Sequence, residues 1–129
     1  MMADSEISVL LVDDDELIRE CITAYLEDEG FIVHSSGSAE KALELISAYY
    51  PAVCISDMRL PGMNGEEFIL RAHALSAATG FLIHTGMLYQ LSDELRSIGM
   101  NADDVLLKPI HDLTKLVGKI KKIAAAGRA

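Results

Sequence analysis

The stretch Leu10–Glu16, LLVDDDE, decides how the rest of the chain is read. From Ile7 to Val12 the residues are leucine-rich or β-branched with no clean alternation, the pattern of a strand buried on both faces. That run stops abruptly in four acids. Neighbouring carboxylates repel one another, so acids at the edge of an interior either form a solvated turn or surround something positive.

Working outward, Asp15 to Glu29 carries Leu17, Ile18, Cys21, Ile22, Tyr25 and Leu26 at helical spacing, and Gly30 ends that helix. Asp15 reads as its N-cap and Glu16 as a first-turn acid. Phe31 to His34 predicts a short second strand. Ser38 caps a helix through Tyr49 that carries Ala42, Leu43, Leu45 and Ile46. Pro51 ends it, and Ala52 to Ser56 gives a third strand. Turn-formers follow Asp57 in MRLPGMNG, then a helix from about Gly65 to Leu75. Phe81–His84 and Val105–Leu107 read as the fourth and fifth strands, with a helix near Leu91–Ile98 between them. Leu113, Leu116, Val117, Ile120 and Ile123 form a period-3.6 stripe on a last helix. The expected domain spans residues 7–124. Residues 1–6 are a tail, and 125–129 a tail or the start of a linker. Five strands alternating with five helices make an α/β fold, a parallel sheet covered on both faces and joined by right-handed crossovers.

With 129 residues the chain is long enough to bury one core without staples. Half of it is hydrophobic, yet no apolar run approaches the roughly 18 residues of a membrane span. No basic-then-apolar leader opens it. Cys21 and Cys54 both sit in apolar segments and read as buried thiols of a reducing compartment, which places the chain in the cytoplasm. A net charge of −9 argues against direct nucleic acid binding. Five of the eleven basic residues (Lys115, Lys119, Lys121, Lys122, Arg128) fall in the last fifteen positions and suit a helix C-terminus.

In an open parallel sheet, polar groups meet at the carboxyl ends of the strands. Here strand one ends in Asp13 and Asp14, strand three in Asp57, strand four in Thr85 and strand five in Lys108. Singly, each is an ordinary cap, turn or solvated residue. Together, in the order acid pair, acid, hydroxyl, lysine, they are expected to converge on one pocket if strands one, three, four and five are near neighbours. Three close carboxylates need a counter-charge, and hard oxygen ligands suit Mg2+. A carboxylate beside Mg2+ can attack phosphorus to give an acyl phosphate, with Lys108 balancing phosphoryl charge and the Thr85 hydroxyl bonding a phosphoryl oxygen. His34, His73, His84 and His111 show no metal spacing, and no glycine-rich phosphate loop is present.

The segments LLVDDDE, CISDMRLPGMNG, FLIHTG and LLKPI, in this order and spacing, resemble the receiver domain of two-component response regulators from about Ile7 to Ile123. The resemblance implies a flavodoxin-like doubly wound sheet in the order 2-1-3-4-5. It implies Asp57 as phospho-acceptor from a sensor histidine kinase or phosphotransfer protein. Mg2+ would be held by Asp14, Asp57 and the backbone carbonyl of Arg59, with Asp13 acting through water. Thr85 and Lys108 would contact the phosphoryl group, and a cis bond is expected at Lys108–Pro109. The implied output is a changed surface of the fourth helix, fifth strand and fifth helix, with dimerisation on phosphorylation and a fused or separate output partner as possibilities. It also implies a signalling module rather than a classical enzyme. One position departs from the pattern: Val105 stands where an aromatic residue commonly reports activation. Arg59 and Met87 would flank the path of an attacking water, and Gly86 follows Thr85 where alanine is frequent.

Two alternatives share parts of this chemistry. A haloacid-dehalogenase-like phosphatase would use Asp13 as nucleophile, but wants threonine or valine at Leu17 and leaves Asp57 without a role. A receiver-like interaction module that works without phosphorylation would be expected to lose a pocket residue, and none is missing.

Overall fold

The computed structural model describes residues 7–126. Strand β1 (Ser8–Val12) lies inside a five-stranded sheet with β2 (Ile32–Ser36), β3 (Val53–Ser56), β4 (Gly80–Thr85) and β5 (Val105–Leu107). The order is β2-β1-β3-β4-β5 and every pairing is parallel, with Val12 opposite both Ser36 and Ser56 and Ser56 opposite Ile83. Helices α1 (Glu16–Asp28), α2 (Ala39–Tyr49), α3 (Gly65–Leu75), α4 (Asp93–Ser97) and α5 (Leu113–Ala126) connect and cover it.

Alternation along the strands explains why their apolar runs are continuous. Leu10, Val12, Cys54, Phe81 and Ile83 enter one core with α2, α3 and α4, including Ala42, Ile46, Phe68, Ile69 and Leu95. Val9, Leu11, Val53, Ile55 and Leu82 enter the other with α1 and α5, including Ile22, Leu26, Leu116 and Ile120. Both faces therefore demand apolar side chains, each stabilising the fold by roughly 1.5–3 kcal/mol when fully buried.

Helix starts are side-chain capped, at Asp15 and Ser38 as the sequence suggests and at Asn64 in addition. Asp15 accepts from the Ile18 N–H at 3.1 Å, Ser38 from Lys41 at 3.3 Å and Asn64 from Glu67 at 2.8 Å. Each such cap is typically worth about 1 kcal/mol. At the end of α1, Gly30 adopts φ 97°, its N–H bonds to Glu27, and the Phe31 N–H bonds to Leu26 at 3.1 Å. This Schellman arrangement buries Phe31 against Leu26, so Phe31 closes the helix and β2 begins only at Ile32.

Other expectations need correction. Leu17 is 70% exposed and Cys21 is exposed, because the buried stripe of α1 runs through Ile18, Ile22, Tyr25 and Leu26 instead. Only Cys54 is a buried thiol, and burial pushes its pKa up. Helix α4 is five residues long: Leu91, although buried, precedes its Ser92 N-cap, and Ile98 is its C-cap. Helix α5 continues through Ala126, while residues 1–6 and 127–129 lie outside the described residues.

Candidate functional site

Strand geometry persists one residue beyond the strand ends where the site forms. The Asp13 N–H donates to the Ser36 carbonyl at 3.1 Å, Asp57 to Val12 at 3.0 Å and Lys108 to Thr85 at 2.8 Å. Alternation then places Asp13 after Leu11, Asp57 after Ile55 and Lys108 after Leu106, on the face covered by α1 and α5. The Lys108 Nζ lies 2.7 Å from Asp13 Oδ2 and 2.8 Å from Asp57 Oδ2. One ammonium thus bridges two carboxylates from different strands.

The remaining oxygens are also held. Asp13 Oδ1 accepts from the Asp15 N–H at 2.9 Å, and Asp57 Oδ1 accepts from the Arg59 N–H at 3.3 Å. Arg19 donates to the Asp13 carbonyl at 2.6 Å. Asp13 and Asp57 are buried, whereas Asp14 stands exposed at the mouth. Carboxylate oxygens of Asp13, Asp14 and Asp57 come within 4.8 Å of one another, a donor set that fits a small hard cation.

Electrostatics keep the site charged. Burial alone would raise the pKa of Asp57. The Lys108 hydrogen bond, the Arg59 N–H, the Lys108 charge and the Met58 N–H together hold it below the ordinary 3.8. Burial likewise opposes the charge on Lys108, but hydrogen bonds to Asp13 and Asp57, and their charges, raise its pKa above 10.5. Asp57 is therefore an ionised carboxylate at neutral pH.

Helix α3 seats on the backbone of this acid. The Gly65 N–H bonds to the Met58 carbonyl at 2.8 Å. A Cβ at position 65 would collide with the Asp57 carbonyl and lie 2.7 Å from the Met58 Cα, so the helix can start this close only with glycine. A shallow depression beside the acids is lined by Asp14, Met58, Arg59, Leu60 and Asn64. A cavity of about 430 Å³ opens at the opposite end of the sheet, near Phe81, Met100 and Lys119, away from all these groups.

Of the residues singled out in the sequence, Asp13, Asp14, Asp57 and Lys108 are brought together directly. Thr85 is joined to Lys108 through its backbone; its buried hydroxyl instead accepts from the Met87 N–H at 3.4 Å, facing its own loop. Further along that loop, the Tyr89 hydroxyl donates to Glu66 of α3 at 2.6 Å. Burial first and the Glu66 contact second push the Tyr89 pKa up to about 12. The Lys108–Pro109 peptide is cis, and Val105 is half-buried.

His84 was missed by motif spacing. It is 4% exposed, and neither ring nitrogen has a hydrogen-bond partner among the described residues. Burial and then the Lys108 charge lower its pKa below 6.5, with Asp13 and Asp57 acting the other way. Alternation from Leu82 was the signal that could have placed it on the same face as Asp57.

Comparison with known proteins agrees with this geometry. The family model of the response regulator receiver domain matches residues 9–121. The cell cycle response regulator CtrA of Brucella ovis is 32% identical over 115 residues, covering 89% of this chain and 49% of that protein. The chain therefore spans about half the length of the curated relatives it matches. Among solved structures, a CheY-like receiver domain protein from Methanospirillum hungatei superposes with a TM-score of 0.82 at 27% identity, covering 95% of this chain and 96% of that one. The beryllofluoride-activated NtrC4 receiver domain dimer gives 0.78 at 26% identity, with 93% and 98% covered. Matched sequence, sheet order and strand-end acids lead to one conclusion: this chain belongs to the response regulator receiver domain family.

Proposed function

We propose that the chain is a phospho-accepting switch of a two-component pathway, with Asp57 as the acceptor. The observation that carries this reading is the Asp57 carboxylate, ionised and hydrogen-bonded to Lys108, at the carboxyl end of the central strand β3. An oxygen of Asp57 attacks the phosphorus of a phosphohistidine on a sensor kinase or phosphotransfer protein. The new P–O bond forms as the P–N bond breaks, and the electron pair leaves on the imidazole nitrogen. Because Asp57 is already deprotonated, no general base is required.

Asp13, Asp14, Asp57 and the Arg59 carbonyl would hold Mg2+, with Asp13 acting through water. The ion would supply positive charge against the acids and the incoming phosphoryl oxygens. Lys108 shifts from the carboxylates to a phosphoryl oxygen, and Thr85 turns from its loop toward another. That turn draws on residues 86–92, where Met87 and Leu88 are exposed and Tyr89 is tied to α3. The α4–β5–α5 surface then changes, with Val105 in place of the usual aromatic reporter. A cytoplasmic setting, dimerisation on phosphorylation and an output domain or partner belong to the same reading. Among the described residues, no helix is long and apolar enough to cross a membrane. The phosphatase alternative is disfavoured because its nucleophile, Asp13, is only 1% exposed against 7% for Asp57, and because it leaves Asp57 without a role.

Intact-protein mass after incubation with acetyl phosphate and Mg2+ tests the proposal. Wild type gains one phosphoryl group and Asp57→Asn gains none. A wild type that neither gains mass nor binds beryllofluoride would overturn it and favour a phosphorylation-independent module.

A further inference from the structure

His84 precedes Thr85 on β4 and pairs with Leu106 of β5. It shares a sheet face with Leu82, the face on which Asp13, Asp57 and Lys108 stand. Extending the β3–β4 register by one residue past Ser56 and Ile83 sets Asp57 opposite His84. The residue is more than nine-tenths buried, with both ring nitrogens unpaired among the described residues. Packing alone does not account for this, since valine or leucine would fill a strand position there without orphaning polar atoms.

We infer that His84 is a positioning residue of the phosphoryl site, its imidazole N–H donating to the phosphorylated Asp57 side chain directly or through one water. The inference rests on the reading of Asp57 as acceptor. In the resting pocket Lys108 answers the charge of both Asp13 and Asp57. Phosphorylation replaces the single charge of Asp57 with the −1.5 to −2 typical of a phosphoryl group, so roughly half to one further negative charge faces the ring. A neutral imidazole always carries one N–H donor, and a donor already in place gains as that charge develops. The ring thus weakens the resting fold and strengthens the loaded one.

The test uses the whole chain with Mg2+ and beryllofluoride as the phosphoryl mimic. His84→Val melts higher than wild type, having lost two orphaned nitrogens, yet binds beryllofluoride about tenfold more weakly. His84→Gln, which keeps a donor, recovers part of that affinity. In wild type one His84 ring N–H exchanges more slowly with water and its proton moves downfield when beryllofluoride is added, the mark of a new hydrogen bond rather than of a nearby charge alone. A His84→Val variant that binds as tightly as wild type, or a ring N–H whose exchange and shift do not change, overturns the inference. A wild type that binds no beryllofluoride and takes no phosphoryl group sinks the acceptor reading itself, a separate outcome.

Discussion

Replacing Lys108 by methionine removes the one ammonium shared by two acids while keeping most of the side-chain volume. The side chains of Asp13 and Asp57 are 2% and 9% exposed, against 16% for Lys108. Stranding one buried charge costs about 3–5 kcal/mol. Here the exposed Asp14 marks an open mouth through which water screens the acids, which lowers the expected loss to about 2–4 kcal/mol. Unfolding entropy of roughly 2.1 cal/mol/K per residue, over the whole chain, makes each kcal/mol worth about 4 °C. Lys108→Met should therefore melt about 8–16 °C lower in EDTA at pH 7. Asp57→Asn removes a like charge and leaves Lys108 on Asp13, so it should melt within about 4 °C of wild type. Added Mg2+ should stabilise Lys108→Met, by about 2.7 kcal/mol at a hundredfold excess over its Kd. Thermal melts with and without Mg2+ decide the matter. A Lys108→Met protein that melts with wild type, or an Asp57→Asn protein that loses more, refutes the reasoning.

Gly65→Ala forces a Cβ onto the Asp57 and Met58 backbone; it should cost about 1–3 kcal/mol in a urea titration and weaken beryllofluoride binding as well. The depressed His84 pKa has a definite sign. The unfolded chain takes up that proton near 6.5 and the folded chain only below it, so stability is full above about 6.5 and falls as pH drops through the folded value. Urea midpoints should therefore fall between pH 7 and 5.5 in wild type, and fall less in His84→Val. Arg59 is exposed and Met87 is 37% exposed, both in the loops beside the pocket. Replacing both with alanine should shorten the acyl-phosphate half-life severalfold, and an unchanged decay would show that their bulk does not shield it.

The sheet was legible because buried parallel strands force apolar runs, and the acids that end them mark the carboxyl edge. Helix starts were legible through Asp15 and Ser38, whose side chains satisfy the first free N–H groups, while the Asn64 cap of α3 was shown only by the structure. Helix faces were less so. Leu17 and Cys21 fit a helical period as well as Ile18 and Ile22 do, and only the packing of α1 against β1 and β2 selects between them. The length of α4 was overestimated because Leu91 anchors a loop with the same apolar signal a helix would give. In the pocket, residue types announced the acids and the lysine, while the bridging of Asp13 and Asp57 by one Lys108 Nζ is a three-dimensional fact. His84 was invisible to motif reasoning because a histidine in a strand carries no spacing signature; only its face and its unpaired nitrogens set it apart.

The central claim is that Asp57, rather than its two acidic neighbours, takes the phosphoryl group. Loading the protein with acetyl phosphate and Mg2+, reducing with borohydride and mapping the peptides tests this directly, because reduction turns an aspartyl phosphate into homoserine. Homoserine is expected at position 57 alone; homoserine at position 13 or 14 would show that a neighbouring acid takes the phosphoryl group instead.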